Sequence, residues 1–147
     1  MDPAVEVVER EMALLLRRAQ GFSTRLANSL HPDLESPAYV LLVWLEDNGP
    51  ARLTDVAHAF GVGKATLSRQ LSQLEQLELV QREPDPHDGR AFRLALTGPA
   101  SERVREIRAA RRAQYRALLR TWPEEDVSTF GDLLGRMNAL MEQVRPD

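Results

Sequence analysis

The sequence predicts a mainly α chain with one small β-hairpin, an α+β protomer of six helices that forms a two-fold dimer through its N- and C-terminal helices. Three observations lead there. Apolar residues recur at three- and four-residue steps through most of the 147 residues. That period breaks in one place, an alternating stretch over about 79–97 interrupted by Pro84-Asp85-Pro86-His87-Asp88-Gly89. The longest apolar stripes stand at the two ends, and in so short a chain the same helices of a second copy are the natural thing to pack on. A monomeric bundle, with first and last helices packed on each other, is the alternative.

The first helix is predicted from about Pro3 to Leu30, with Val5, Val8, Met12, Leu15, Leu16, Ala19, Phe22 and Leu26 on one face. A second is announced by Ser36 as cap and Pro37 in the first turn, and it ends near Asn48-Gly49-Pro50. Its centre, Tyr39 to Leu45, is apolar nearly all round, which implies burial on most sides. Thr54 is positioned to cap a short helix ending in Gly61, and a further helix covers about 64–77. Leu79 to Glu83 and Phe92 to Leu96 then read as the strands of a hairpin. Helical pattern resumes from Pro99 to Trp122. A last helix follows Pro123, opened by Glu124, Glu125 and Asp126, whose charges suit the positive end of the helix dipole.

Composition narrows the function classes. Hydrophobic residues make up 43% and charged residues 28%, as in an ordinary soluble domain. No cysteine is present, which excludes disulfides, thiolate metal sites and cysteine nucleophiles in this chain and suits a reduced cytoplasm. His31, His58 and His87 show no i, i+4 pairing, so neither a metal nor a cofactor is expected, and His58 reads as a surface histidine. The apolar run Tyr39 to Leu45 is far short of a bilayer span and the acidic start is unlike a secretory signal, so no membrane partner is expected. A net charge of −3 argues against nucleic acid only as an average. By segment, residues 62–72 hold Lys64, the chain's one lysine, and Arg69 without an acid.

The region 54–71 carries the informative pattern. Val56, Phe60, Val62, Leu67 and Leu71 are apolar, Ala57 is small where two helices approach, and Gly61 allows a tight turn. That spacing is a helix-turn-helix, although a plain helical hairpin with a glycine turn would share it. The β-hairpin directly after it makes a winged helix, whose second helix enters the major groove of double-stranded DNA while the wing reaches an adjacent minor groove. Projection at about 100° per residue puts Leu67, Leu71 and Leu74 on the core side. Lys64, Ala65, Thr66, Ser68, Arg69, Ser72 and Gln73 stand at the start, flanks and opposite side and are the candidate DNA contacts of the recognition helix. Arg pairs twice with guanine and Gln with adenine, while Ser, Thr and Lys take phosphates. The alternative is a solvated polar face.

Asp88-Gly89-Arg90, five residues, then Leu96-Thr97 match the D-x-R-x5-L-T wing pattern of MarR-type (multiple antibiotic resistance regulator) winged-helix transcription factors, which the chain resembles over nearly its whole length. Lys64 to Arg69 and the stretch from Leu74-Glu75 to Leu79-Val80 also look like that family's recognition helix and its exit. The resemblance implies that Arg90 enters the minor groove and that Asp88 orients it; an Asx-type turn at Asp88 is compatible with that role. It implies an N-terminal dimerisation helix at 1–35, a DNA-binding lobe at 36–98 and C-terminal dimerisation helices at 99–147 within one structural domain. It further implies a cytoplasmic bacterial repressor of a pseudo-palindromic operator, released by a small aromatic or phenolic effector, for which Phe22, Tyr39 and Trp44 are the candidate pocket residues. Gly63, Glu78 and Ala100 depart from the family pattern, and Glu78 matters most, because glycine there relieves a left-handed turn.

Residues 102–120 hold seven Arg against two Glu. They form either a second phosphate-binding surface or, as the resemblance favours, a solvated face that pairs with the acidic outer helices of the dimer. Two further readings come from other classes: a winged helix used for protein contacts without DNA, and a small helical enzyme, for which no nucleophile-base set or phosphate loop is seen.

Overall fold

Asp2 and Pro3 start the first helix as their chemistry requires: the Asp2 carboxylate accepts the Ala4 N–H at 2.9 Å, and Pro3 stands where a missing N–H costs nothing. The computed structural model describes residues 2–144. Among them the order is α1 (Pro3–Leu30), α2 (Ser36–Asn48), α3 (Leu53–Phe60), α4 (Lys64–Gln76), β1 (Val80–Pro84), β2 (Phe92–Leu96), α5 (Gly98–Leu119) and α6 (Glu124–Gln143). The predicted six helices and hairpin are therefore all present. None of the helices among the described residues is long and apolar enough to cross a membrane.

Two caps differ from expectation. Glu35, not Ser36, precedes α2, so Ser36 and Pro37 occupy its first two positions, where the N–H groups have no partner within the helix and proline is tolerated. Likewise α3 starts at Leu53, because the Arg52 carbonyl already accepts the Asp55 and Val56 N–H groups at 3.0 and 3.1 Å. Thr54 consequently lies exposed in the first turn instead of capping it.

The chain divides into two compact units, with the boundary between Ile107 and Arg108 inside α5. The first unit holds the core. Tyr39, Leu41, Leu42 and Leu45 of α2 are buried against Val56 of α3, Leu67, Leu71 and Leu74 of α4, Leu94 of β2, and Val104 and Ile107 of α5. In α1 only Ala27 is buried, and Val5, Val8, Leu15 and Leu16 are exposed. In the second unit Trp122 and Phe130 pack at 5.7 Å, and Leu133, Leu140 and Met141 of α6 are exposed, while Leu134 and Met137 are half-buried.

The hairpin is antiparallel, with Val80 opposite Leu96 and Pro84 opposite Phe92. Ala51 extends it by exchanging both backbone hydrogen bonds with Leu94, at 3.0 and 2.7 Å, so the segment before α3 is stitched to β2. Leu94 is buried as the alternation predicts, but Phe92 stays at the surface beneath the Arg82 guanidinium, 4.4 Å from the ring centroid.

Candidate nucleic-acid interface

The turn between α3 and α4 is set by Gly61, whose φ of +62° is the left-handed geometry glycine adopts without a Cβ penalty. The Val62 N–H returns to the Ala57 carbonyl at 3.2 Å, closing α3 in the manner of a Schellman motif. α4 then begins at Lys64. Leu67, Leu71 and Leu74 seal its inner side, at most 2% exposed. Every expected contact residue of this helix is therefore turned outward: Lys64, Ala65, Thr66, Ser68, Arg69, Ser72 and Gln73 are all exposed. Two of them already carry internal bonds. The Ser72 hydroxyl donates to the Ser68 carbonyl at 3.0 Å, and the Gln73 amide donates to the Asp33 carbonyl at 3.2 Å.

α4 leads into the wing through Glu78, which adopts φ +58°, the only positive φ outside glycine among the described residues. The departure from glycine thus leaves the left-handed turn in place and moves its cost onto the backbone of Glu78. Thr97 braces this turn from the far end of the hairpin. Its hydroxyl donates to the Glu78 carbonyl at 2.8 Å and accepts the Ala100 N–H at 3.3 Å, so one side chain pins the exit of α4 and caps α5.

At the wing tip the Asp88 carboxylate accepts the Arg90 N–H at 3.0 Å, an Asx turn that orients the backbone of Arg90, while both side chains are exposed. Behind them stands a residue that the sequence did not single out. Asp85, whose side chain is 4% exposed, accepts the His87 and Asp88 N–H groups at 2.8 and 3.2 Å and the Arg52 Nε–H at 2.6 Å. The Arg52 bond and these two amides hold the Asp85 carboxyl well below the usual carboxylate range, and Asp85 in turn raises the Arg52 guanidinium. An Asp between two prolines ahead of a turn is a signal for such amide capture; its partner 33 residues upstream leaves none.

The cations of residues 52–97 divide into two groups. Arg52, Arg82 and Arg93 pair with Asp85, Glu75 and Glu83 respectively. Lys64, Arg69 and Arg90 are exposed, and no ion pair engages them among the described residues. The segment 62–72 that bears two of them contains no acid.

A cavity of about 530 Å³ opens between α1, α2, α3 and α4, lined mainly by apolar groups including Leu16, Ala19, Val40, Leu41, Phe60 and Leu67. None of Phe22, Tyr39 and Trp44 lines it. Phe22 lies under Arg25, Tyr39 is buried in the core, and Trp44 packs edge-on against Phe60 at 6.0 Å and borders a second hollow beside Arg52 and Asp85. Leu67, on the inner side of the recognition helix, lines the cavity between the four helices together with Leu41, Phe60 and Val62, all of which the sequence marks only as apolar core positions.

Helix-turn-helix, braced hairpin and uncompensated cations define a winged helix-turn-helix protein. The model of the MarR family matches residues 34–92. The chain is 34% identical over 134 residues to the uncharacterized HTH-type transcriptional regulator YxaD of Bacillus subtilis (strain 168), covering 91% of this chain and 92% of that protein. It is 34% identical over 92 residues to the HTH-type transcriptional repressor NicR of Pseudomonas putida, covering 61% and 58%. The crystal structure of Streptococcus pneumoniae FabT in complex with DNA superposes with a TM-score of 0.85 at 15% identity, over 96% of this chain and 99% of that one. The chain belongs to the MarR family and is a transcriptional regulator, not an enzyme.

Proposed function

We propose that the protein is a cytoplasmic, homodimeric repressor that binds a pseudo-palindromic operator and is released by a small aromatic or phenolic molecule. The observation that supports the DNA contact is the set Lys64, Arg69 and Arg90, exposed and without carboxylate partners among the described residues, while the neighbouring wing arginines are paired. α4 enters the major groove, where Arg69 and Gln73 suit base edges and Lys64, Thr66, Ser68 and Ser72 suit phosphates. Arg90 enters the flanking minor groove, attracted by its negative potential. NicR, named a repressor, and FabT, solved on DNA, support the reading.

Dimerisation is supported by the exposed apolar residues Val5, Val8, Leu15 and Leu16 on α1 and Leu133, Leu140 and Met141 on α6, since exposed apolar faces mark interaction surfaces. The two recognition helices then meet half-sites about one helical turn apart. The effector is assigned to the cavity behind Leu67 instead of to Phe22, Tyr39 and Trp44, since its volume and apolar lining suit a small ring compound. A ligand that fits only a misplaced α4 lowers DNA affinity by its preference for that state.

A titration of the full chain with fluorescent random-sequence duplex over a salt series tests the DNA contact. Binding that weakens steeply as salt rises is expected. Absence of salt-sensitive binding at low salt overturns the reading.

A further inference from the structure

The wing is joined to the helix-turn-helix at two places that sequence distance hides. Midway along β2 the Ala51 backbone pairs with Leu94. At the wing tip the next residue, Arg52, reaches Asp85, which gathers the amides of His87 and Asp88, and Asp88 in turn takes the amide of Arg90. A continuous chain of hydrogen bonds thus runs from the head of α3 to the exposed cation of the wing. The Asp85 side chain is 4% exposed, and among the described residues Arg52 is the cation that pairs with it, so the carboxylate leans on Arg52 for its charge balance.

From this geometry we propose that Arg52 and Asp85 are positioning residues for DNA recognition: they fix the wing-tip turn so that Arg90 is presented at a set distance from the recognition helix. The proposal rests on the reading of Arg90 as a minor-groove contact. Neither residue touches DNA in this scheme. Arg52 is occupied by Asp85, and Asp85 faces inward as an anion, which phosphates would repel. What the pair supplies is preorganisation: an Arg90 tethered by a loose turn gives up, in ordering, the affinity its contact provides.

A double-mutant cycle separates positioning from mere stability. The probe is the duplex that the wild-type full chain selects from a random pool, and the variants are R90A, R69A, R52A, D85N and their combinations. In the wild-type background R90A is expected to weaken binding on the order of tenfold or more, within the range of a specific arginine contact. In the R52A or D85N background the R90A effect should shrink to less than about threefold, whereas R69A should keep its full effect, because α4 does not hang on the clamp. R52K, which restores the charge, should recover part of the R90A effect. Hydrogen exchange should report faster exchange at the His87 and Asp88 amides in D85N, with α4 protection unchanged, and D85N keeps the side-chain volume should R52A fail to fold. An undiminished R90A effect in both clamp backgrounds overturns the proposal, as does equal loss of the R90A and R69A effects. Should R90A leave wild-type binding unchanged while R69A weakens it, the wing-contact premise fails and the proposal falls with it. If the wild type selects no duplex at all, the DNA-binding reading itself is what fails, and the clamp's role in it with that reading.

Discussion

Glu78 is the point at which this chain accepts backbone strain that its wing geometry imposes, and replacing it with glycine should make the protein more stable. Its φ of +58° is left-handed, and for a residue with a Cβ that conformation costs about 1–2 kcal/mol. The turn cannot relax elsewhere, because the Glu78 N–H donates to Glu75 at 3.0 Å and its carbonyl is held by Thr97 at 2.8 Å. E78G removes the strain while adding freedom to the unfolded chain, which takes back about 0.4–1 kcal/mol. The net is a gain of about 0.8 kcal/mol at the middle of these ranges (about 0–1.6 at their limits), or roughly 2–3 °C in Tm for a chain of this size. E78A keeps the Cβ and should stay within about 0.5 kcal/mol of wild type, because the Glu78 side chain is exposed. Thermal and urea unfolding of the three proteins at one matched concentration provides the comparison. A lower Tm for E78G refutes the reasoning; an equal rise for E78A would assign the gain to loss of the carboxylate instead.

Thr97 should show the complementary loss. T97A removes both the α5 cap and the brace on Glu78 and should cost about 1–2 kcal/mol in urea unfolding, whereas T97S, which keeps the hydroxyl, should cost less than half of that. Asp85 predicts an acid limb. Its folded-state pKa lies below its ordinary 3.8, so its contribution is complete above that value and is lost as pH falls through and below it toward the folded value. Urea midpoints of wild type and D85N should therefore differ most near neutral pH and converge as pH drops below about 4; a gap that widens on acidification would contradict the assignment. In the Arg-rich α5, R112A/R116A should leave the salt slope of duplex binding unchanged, while K64A, at a phosphate contact, reduces it by about 1. A clear fall in slope for R112A/R116A would make α5 a second phosphate surface.

What could be read from the sequence was periodic or local. The 3.6-residue repeat placed Leu67, Leu71 and Leu74 inward and so turned Lys64 and Arg69 outward, and the glycine at 61 marked the turn at its observed left-handed residue. Helix starts were less legible: the acceptor geometry of the Arg52 carbonyl, not the side chain of Thr54, decided where α3 begins. The strand alternation put Phe92 with Leu94, yet a ring at the hairpin edge found Arg82 instead of the core. Least legible were the long-range bonds. Arg52 to Asp85 and Thr97 to Glu78 join residues 33 and 19 apart, and one local sequence offers an arginine or a threonine many partners. The cavity was also out of reach, because a void is set by how four helices fail to fill the space between them, and the aromatics that draw attention in sequence, Tyr39 above all, were absorbed into packing.

The central claim is that a dimer reads two half-sites through α4. Binding-site selection from a random duplex pool, carried out with the wild-type chain and with R69A, tests it most directly. The expected result is an inverted repeat with half-site centres about 10 base pairs apart, and loss of preference at the same position of both half-sites for R69A. Enrichment of a single unrepeated motif, or a wild-type motif left intact by R69A, would contradict it.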